Sequence, residues 1–284
     1  MEYGLIGYPL SHSLSPVIHR AALQELGIPG AYRLYPIAAL PEGEHALAGL
    51  LDRLRTGEIH GLNVTIPHKQ SILKGVDRLT LTAQEIGAVN TLLRSGGELV
   101  GENTDADGFM ADIRLKFKRD IGKNALILGA GGSARAIVYA LLKDGFHVTV
   151  AARRLNQANA LTGHFQGFSA RLAGIELERP SLTSWVSSIS KEQTLVVNCT
   201  PLGMTPHIET SPWPEGIPFP ARSLIYDLVY NPVETRFVSQ ARQAGLNAFS
   251  GLGMLVEQAA ISFELWTGRD APRQIMHAAA LNTL

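Results

Sequence analysis

The sequence predicts an α/β protein of two domains, and three observations carry that expectation. The chain has 284 residues, above the usual single-domain size and long enough for two cores. Its first half alternates short apolar runs with helical patterns. Its second half opens with a strand, a glycine turn and a helix in immediate succession, the start of a doubly wound parallel sheet. With 45% hydrophobic and 18% charged residues and no long single-sign run, the chain can bury enough apolar surface to fold unaided.

Taken in order, the first half reads as Tyr3–Tyr8 then Pro16–Leu26, Tyr32–Pro36 then Glu44–Arg55, and Gly61–Thr65 then His68–Lys74, each a strand followed by a helix. The polar segment Glu102–Asp107 separates the halves. A helix over Phe109–Phe117 leads into the strand Ala125–Leu128, the helix Ala134–Lys143 with Gly145 as its stop, and strands at His147–Ala151, Leu195–Asn198 and Ser223–Leu228. After Gly251 and Gly253, residues Leu255, Ala259, Ser262, Phe263 and Trp266 fit a helical period. The expected division is residues 1–105 with 251–284 as one domain and 106–250 as the other.

Composition narrows the partners. Lys plus Arg and Asp plus Glu both number 25, so no net field draws the chain to nucleic acid or an anionic membrane, and neither is expected as a partner. The start Met1-Glu2-Tyr3-Gly4 lacks the pattern of a signal peptide, and the single cysteine, Cys199, excludes an internal disulfide and a cysteine metal cluster. A cytoplasmic protein is expected; a homodimer stays open.

Any anion must therefore be bound locally. Gly129-Ala130-Gly131-Gly132-Ser133-Ala134 lies where a strand ends and a helix begins, as a dinucleotide-binding loop requires. Gly129 permits the tight turn, Gly131 lets the backbone approach a pyrophosphate, and Ala134 is small enough for close helix packing. The unpaired N–H groups of the helix N-terminus then face the phosphates. An acidic residue about twenty positions on would hold the ribose hydroxyl of NAD. Here the second strand ends in Ala152-Arg153-Arg154, and two guanidinium groups suit a 2′-phosphate, so a Rossmann-type domain binding NADP is expected.

Seven ordered segments give the chain a resemblance. They are Ser11-His12-Ser13-Leu14-Ser15-Pro16, Asn63-Val64-Thr65-Ile66-Pro67-His68-Lys69, Gly87-Ala88-Val89-Asn90-Thr91, Asn103-Thr104-Asp105, Asn198-Cys199-Thr200-Pro201-Leu202-Gly203-Met204, Tyr226-Asp227-Leu228-Val229-Tyr230 and Gly251-Leu252-Gly253-Met254-Leu255-Val256-Glu257-Gln258. Together they span nearly the whole chain, which resembles the shikimate dehydrogenase family. The resemblance implies an N-terminal α/β substrate domain beside the NADP domain, and hydride transfer at the 3-position of a cyclohexene carboxylate with one proton transfer.

It also implies roles. Lys69 matches the family's proton-transfer residue and Asp105 its partner. Ser13 and Ser15 match the residues that hold the substrate carboxylate, and Thr65, Asn90, Asp105, Tyr230 and Gln258 the remaining substrate contacts. Leu228 and Gly251 match positions facing the nicotinamide. An ordinary lysine, with a pKa of about 10.4, is a poor base near neutrality, so such a site must tune or orient it. Pro67 suits the first turn of a helix and Thr65 its cap, which would set Lys69 near a positive dipole end, while Asp105 would favour its charge. Singly, Lys69 would read as an exposed charge and Asp105 as a turn residue.

Two positions depart from the pattern: His19-Arg20 where His-Asn is expected, and Ala106 where glycine is usual. His12 and His68 have no second ligand spaced to bind a metal, and none is expected. Two rivals remain. A quinate enzyme of the same family is disfavoured by the arginine pair. A metabolite-sensing binding protein is disfavoured by the retention of Lys69 and Asp105 together.

Overall fold

The computed structural model describes residues 1–116, 122–168, 171–189 and 193–284. They form two compact units, Met1–Phe109 with Leu255–Leu284, and Met110–Met254. Both joints fall inside helices, a few residues past the glycine and polar punctuation of the sequence.

The first unit holds β1 (Glu2–Gly7), α1 (Ser15–Glu25), β2 (Ala31–Pro36), α2 (Glu44–Arg55), β3 (Gly61–Val64), α3 (His68–Ser71) with a 3-10 turn at Ile72–Lys74, β4 (Arg78–Leu79), α4 (Leu81–Ile86), β5 (Thr91–Ser95) and β6 (Glu98–Glu102). Helix α5 (Asp105–Lys116) leaves it. Its sheet runs β2-β1-β3-β5-β6-β4. Strand β1 pairs in parallel with β2 and β3, which is why helices must link them. Strand β5 runs antiparallel to β3 and β6, joined to β6 by Gly96-Gly97, both at positive φ as a tight hairpin turn requires. Leu47, Leu50, Leu51 and Leu54 of α2 lie on one helix face by their spacing and pack with Ile6, Leu62, Val64, Leu92 and Leu99 of the strands.

The second unit holds β7 (Asn124–Leu128), α6 (Gly132–Lys143), β8 (His147–Ala152), α7 (Leu155–His164), β9 (Leu172–Glu176), α8 (Arg179–Ser188), β10 (Thr194–Asn198), β11 (Ser223–Asp227), α9 (Arg236–Gln243) and β12 (Asn247–Ser250). Its sheet, β12-β11-β10-β7-β8-β9, is parallel throughout. The order reverses between β7 and β10, as in the Rossmann fold. Strands β7, β10 and β11 are continuous apolar runs because both faces are covered. Helix α10 (Leu252–Thr267) returns the chain to the first unit, which closes with α11 (Arg273–Leu281).

One expectation needs correction: the helix expected over Phe109–Phe117 begins at Asp105, and Phe117 lies outside the described residues. In the polar segment between the halves, Asn103, Thr104 and Asp105 are all buried.

Candidate active site

The carboxyl ends of β3 and β6 feed two short connections that bring Lys69 and Asp105 together. Lys69 Nζ donates to Asp105 Oδ2 at 2.6 Å, with the side chains 13% and 5% exposed. A charge-assisted bond of that length holds both groups in one geometry. The Lys69 backbone is fixed as well, its carbonyl accepting the Val89 N–H at 2.7 Å. Asp105 is the first residue of α5, and its N–H donates to Asn103 Oδ1 at 3.0 Å. The Asx-type turn and the partnership with Lys69 therefore hold at once.

Asn90 completes the cluster. Its Oδ1 accepts the Thr104 N–H at 2.8 Å and the Thr91 hydroxyl at 3.0 Å, which orients the amide so that Nδ2 donates to Asp105 Oδ1 at 2.8 Å. Gln258 of α10 lies within 3.3 Å of the same Nδ2 through its Oε1. Gly108 explains how α10 comes so near: a Cβ there would sit 2.6 Å from the Gln258 nitrogen. Behind them Tyr32 donates to Asn63 Oδ1 at 2.8 Å. Burial raises the Tyr32 phenol well above its ordinary range, and the Ser15 hydroxyl partly opposes this.

The structure thus joins Lys69, Asp105, Asn90 and Gln258 by direct hydrogen bonds. Ser13 and Ser15 form a local pair, the Ser15 N–H donating to Ser13 Oγ at 3.3 Å. Ser15 opens α1 and is buried; Leu14, not a serine, is the N-cap. Thr65 is half-buried past β3 and does not cap α3. Pro67 takes the cap position with no side-chain bond, and a four-residue helix offers Lys69 only a slight dipole. Tyr230 follows β11 and belongs to the second unit.

In the second unit Gly129 leaves β7 at φ +109°, where a side chain would be strained. Gly131 has no such need: its φ is −85°, and a Cβ would meet no atom within 4 Å. Glycine there leaves backbone bare in front of α6, as a cradle for an approaching phosphate requires. Ala130, Gly132 and Ser133 are half-buried around it, and Ala134 is fully buried in the first turn of α6. Arg153 and Arg154 follow β8, exposed and without an ion pair among the described residues. Leu228 donates its N–H to the Asn198 carbonyl at 2.9 Å. Gly251 is required structurally, since a Cβ would collide with the Leu228 carbonyl oxygen.

Sequence reasoning assigns no role to Asp227, which is fully buried. It accepts Thr235 Oγ1 at 2.6 Å, Asn198 Nδ2 at 2.8 Å and the Val229 N–H at 3.0 Å. Burial nevertheless pushes its carboxyl up to about 6. The available signal is two polar residues, Asn198 and Asp227, ending apolar strands. Among the described residues no group of three or more His, Cys, Asp or Glu is placed to hold a metal, and no helix is long and apolar enough to cross a membrane.

Fold and site together define a class: a two-unit α/β protein with a Rossmann-type unit and a buried lysine–carboxylate pair in the other. Within that class the model of the shikimate dehydrogenase substrate binding domain matches residues 5–92, and that of the shikimate 5′-dehydrogenase C-terminal domain matches residues 251–281. Shikimate dehydrogenase (NADP(+)) of Symbiobacterium thermophilum is 38% identical over 99% of this chain and 94% of its own length. The shikimate 5-dehydrogenase of Thermus thermophilus, solved in complex with NADP(H) and shikimate, is similar with a TM-score of 0.85 and 36% identity over 100% of both chains. Quinate dehydrogenase of Corynebacterium glutamicum, solved in complex with NAD, has a TM-score of 0.87 at 28% identity over 99% of both chains. The chain belongs to the shikimate dehydrogenase family.

Proposed function

We propose that this chain catalyses the reversible, NADP-dependent reduction of 3-dehydroshikimate to shikimate, a step of chorismate and aromatic amino-acid biosynthesis, in the cytoplasm. The observation that carries the reading is the Lys69–Asp105 pair at 2.6 Å, braced by Asn90. In the direction of oxidation, the C–H bond at the reacting carbon breaks with its electron pair, the hydroxyl O–H breaks, and a C=O bond forms. On reduction the Lys69 ammonium gives a proton to the carbonyl oxygen; on oxidation the neutral amine takes the hydroxyl proton and becomes the ammonium again. Asp105 holds Nζ in place and, with Asn90, Thr65 and Gln258, fixes the ring hydroxyls. Ser13 and Ser15, at the start of α1, hold the carboxylate, and Tyr230 is the remaining substrate contact that the family implies.

NADP+, when bound, supplies the hydride acceptor. The bare backbone at Gly131 fits its pyrophosphate, with Gly129 to Ala134 as the cradle, Arg153 and Arg154 as the grip on the 2′-phosphate, and Leu228 and Gly251 beside the ring. On this reading the first unit binds substrate and the second cofactor. The likeness to a quinate dehydrogenase is answered by the arginines after β8, which suit the extra phosphate of NADP. Offering shikimate with NADP+ to the purified protein should raise the absorbance of reduced nicotinamide. Quinate with NAD+ should give little. No rise with shikimate overturns the proposal.

A further inference from the structure

The buried hydroxyl of Ser262, on α10, has no part in the chemistry just proposed, yet it ties together several separate pieces of the first unit. Its Oγ lies 3.0 Å from Asn63 Nδ2, 2.8 Å from Thr91 Oγ1, 3.2 Å from Thr104 Oγ1 and 2.9 Å from the Gln258 carbonyl oxygen. Those partners come from β3, β5, the connection after β6, and α10 itself. One hydroxyl offers one proton and two lone pairs, so these contacts share it. Serine is an ordinary helical residue when it bonds back four positions, and that bond alone would be local. The other three reach across the sheet ends.

We infer that Ser262 is a positioning residue for Asn90 and Gln258, an inference that rests on the activity proposed above. The chain of contacts is short. Ser262 fixes the Thr91 hydroxyl, which bonds Asn90 Oδ1; Asn90 Oδ1 in turn sets the direction of Nδ2 toward Asp105. The Gln258 carbonyl shares the Ser262 proton at 2.9 Å and accepts the Thr104 hydroxyl at 3.0 Å, which anchors the turn of α10 that carries Gln258. Removing it takes one partner each from Asn63 Nδ2 and Thr91 Oγ1, which keep each other at 3.2 Å and the carbonyl and amide oxygens of Asn90, so Asn90 bears the readjustment in a site closed to water. Ser262 has zero exposed surface, so it acts only through these residues.

The test compares Ser262→Ala, Ser262→Thr and Thr91→Val with the wild type. Ser262→Ala should lower kcat for shikimate about tenfold and raise the KM for shikimate, while the KM for NADP stays within about twofold. Ser262→Thr, which keeps the hydroxyl, should recover most of the loss. Should its added methyl prevent folding, Thr91→Val probes the same bond from the other side and should give the Ser262→Ala pattern. Side-chain amide resonances of Asn90 and Gln258 need no turnover and should shift in Ser262→Ala. A lower Tm with unchanged kcat, KM and amide resonances marks a merely structural serine and overturns the assignment. Unshifted amide resonances overturn it even if the wild type fails to oxidise shikimate, whereas shifted resonances in such a protein sustain the positioning role and defeat only the proposed activity.

Discussion

Each unit keeps a buried carboxylate at the carboxyl ends of its strands, and the two are held differently. Asp105 meets a cation that is itself partly exposed, so the pair balances its charge and keeps one member within reach of a ligand. Asp227 has three hydrogen-bond donors, zero exposed surface and no cation partner among the described residues. Hydrogen bonds alone do not repay the burial of a full charge, which is why its carboxyl sits high. The first arrangement can exchange a proton with a bound molecule. The second pins backbone: Asp227 ties the N–H of Val229, and through Asn198 and Thr235 it fixes the loop after β10 and the start of α9.

The sharpest way to break this contrast is Lys69→Ala. If the first cluster does proton transfer, turnover should fall on the order of a hundred- to ten-thousand-fold with substrate affinity only modestly changed. Asp105→Asn keeps the shape and removes the charge, and its loss should not add to that of Lys69→Ala because the two groups act as one. Steady-state rates at saturating shikimate and NADP decide it; near-wild-type turnover in Lys69→Ala would falsify the mechanism while leaving the fold intact.

Next in size comes the pH dependence of stability, where Asp227 meets an opposite number in the first unit. His19 is buried flat against Tyr32, ring centroids 4.3 Å apart, and neither ring nitrogen reaches a hydrogen bond. Burial pulls it down from 6.5 to about 3, with Asn63 offsetting this only in part. Between about pH 4.5 and 6 the unfolded chain protonates His19 and the folded one does not, so stability rises with pH. For Asp227, moved from 3.8 to about 6, the folded state binds the proton and stability falls with pH through the same window. Between pH 4.5 and 6.5, at about 1.36 kcal/mol per unit, each is worth roughly 2 kcal/mol, His19 slightly the more, so the wild type should be only slightly steadier at pH 6.5 than at 4.5. Asp227→Asn should steepen that rise, and His19→Phe should reverse it. Denaturant midpoints at the two pH values measure both slopes; a slope unaffected by either substitution removes the contrast.

How much of this is legible in the sequence depends on distance along the chain. The strand, Gly129–Ala134 and α6 can be read because their cause is local: a turn that needs glycine beside a helix that needs a small residue. The Gly96-Gly97 hairpin is equally local, and its pattern goes unread. Strands β9 and β12 lie at the sheet edges and carry weaker apolar signals. Lys69 and Asp105 come from separate connections, and only the family's motifs associate them. Thr91, Thr104 and Ser262 are invisible as a network, since a buried hydroxyl looks like any small core residue until its partners are known. Thr65 is mistaken for a cap because Thr and Pro suggest a helix start, whereas the chain spends that residue's backbone on Ile6 and His68.

A smaller effect would sharpen the assignment of the second unit to the cofactor. Changing Arg153 and Arg154 together to Ala should weaken NADP by roughly ten- to a hundredfold and NAD by little, because only NADP carries the 2′-phosphate. Titrating both cofactors against both proteins tests this. Equal losses would show that the pair reads no phosphate.

The smallest expected effect sets two matched threonines against each other. Thr80 caps α4 by accepting the Ala83 N–H at 3.2 Å, and Thr235 caps α9 by accepting the Val238 N–H at 3.2 Å. Each hydroxyl also donates to a carboxylate, Thr80 to Glu102 at 2.8 Å and Thr235 to Asp227 at 2.6 Å. Cap for cap the loss on substitution by Ala should be about 1 kcal/mol. What differs is the carboxylate left behind. Glu102 is half-buried and can turn to water, whereas Asp227 is sealed and would keep an unmet oxygen. Thr235→Ala should therefore cost about 1 to 2 kcal/mol more than Thr80→Ala at neutral pH. Part of that excess should vanish below about pH 6, where Asp227 takes up a proton and no longer presents a full charge. Equal costs at every pH would mean that the buried carboxylate draws nothing from Thr235.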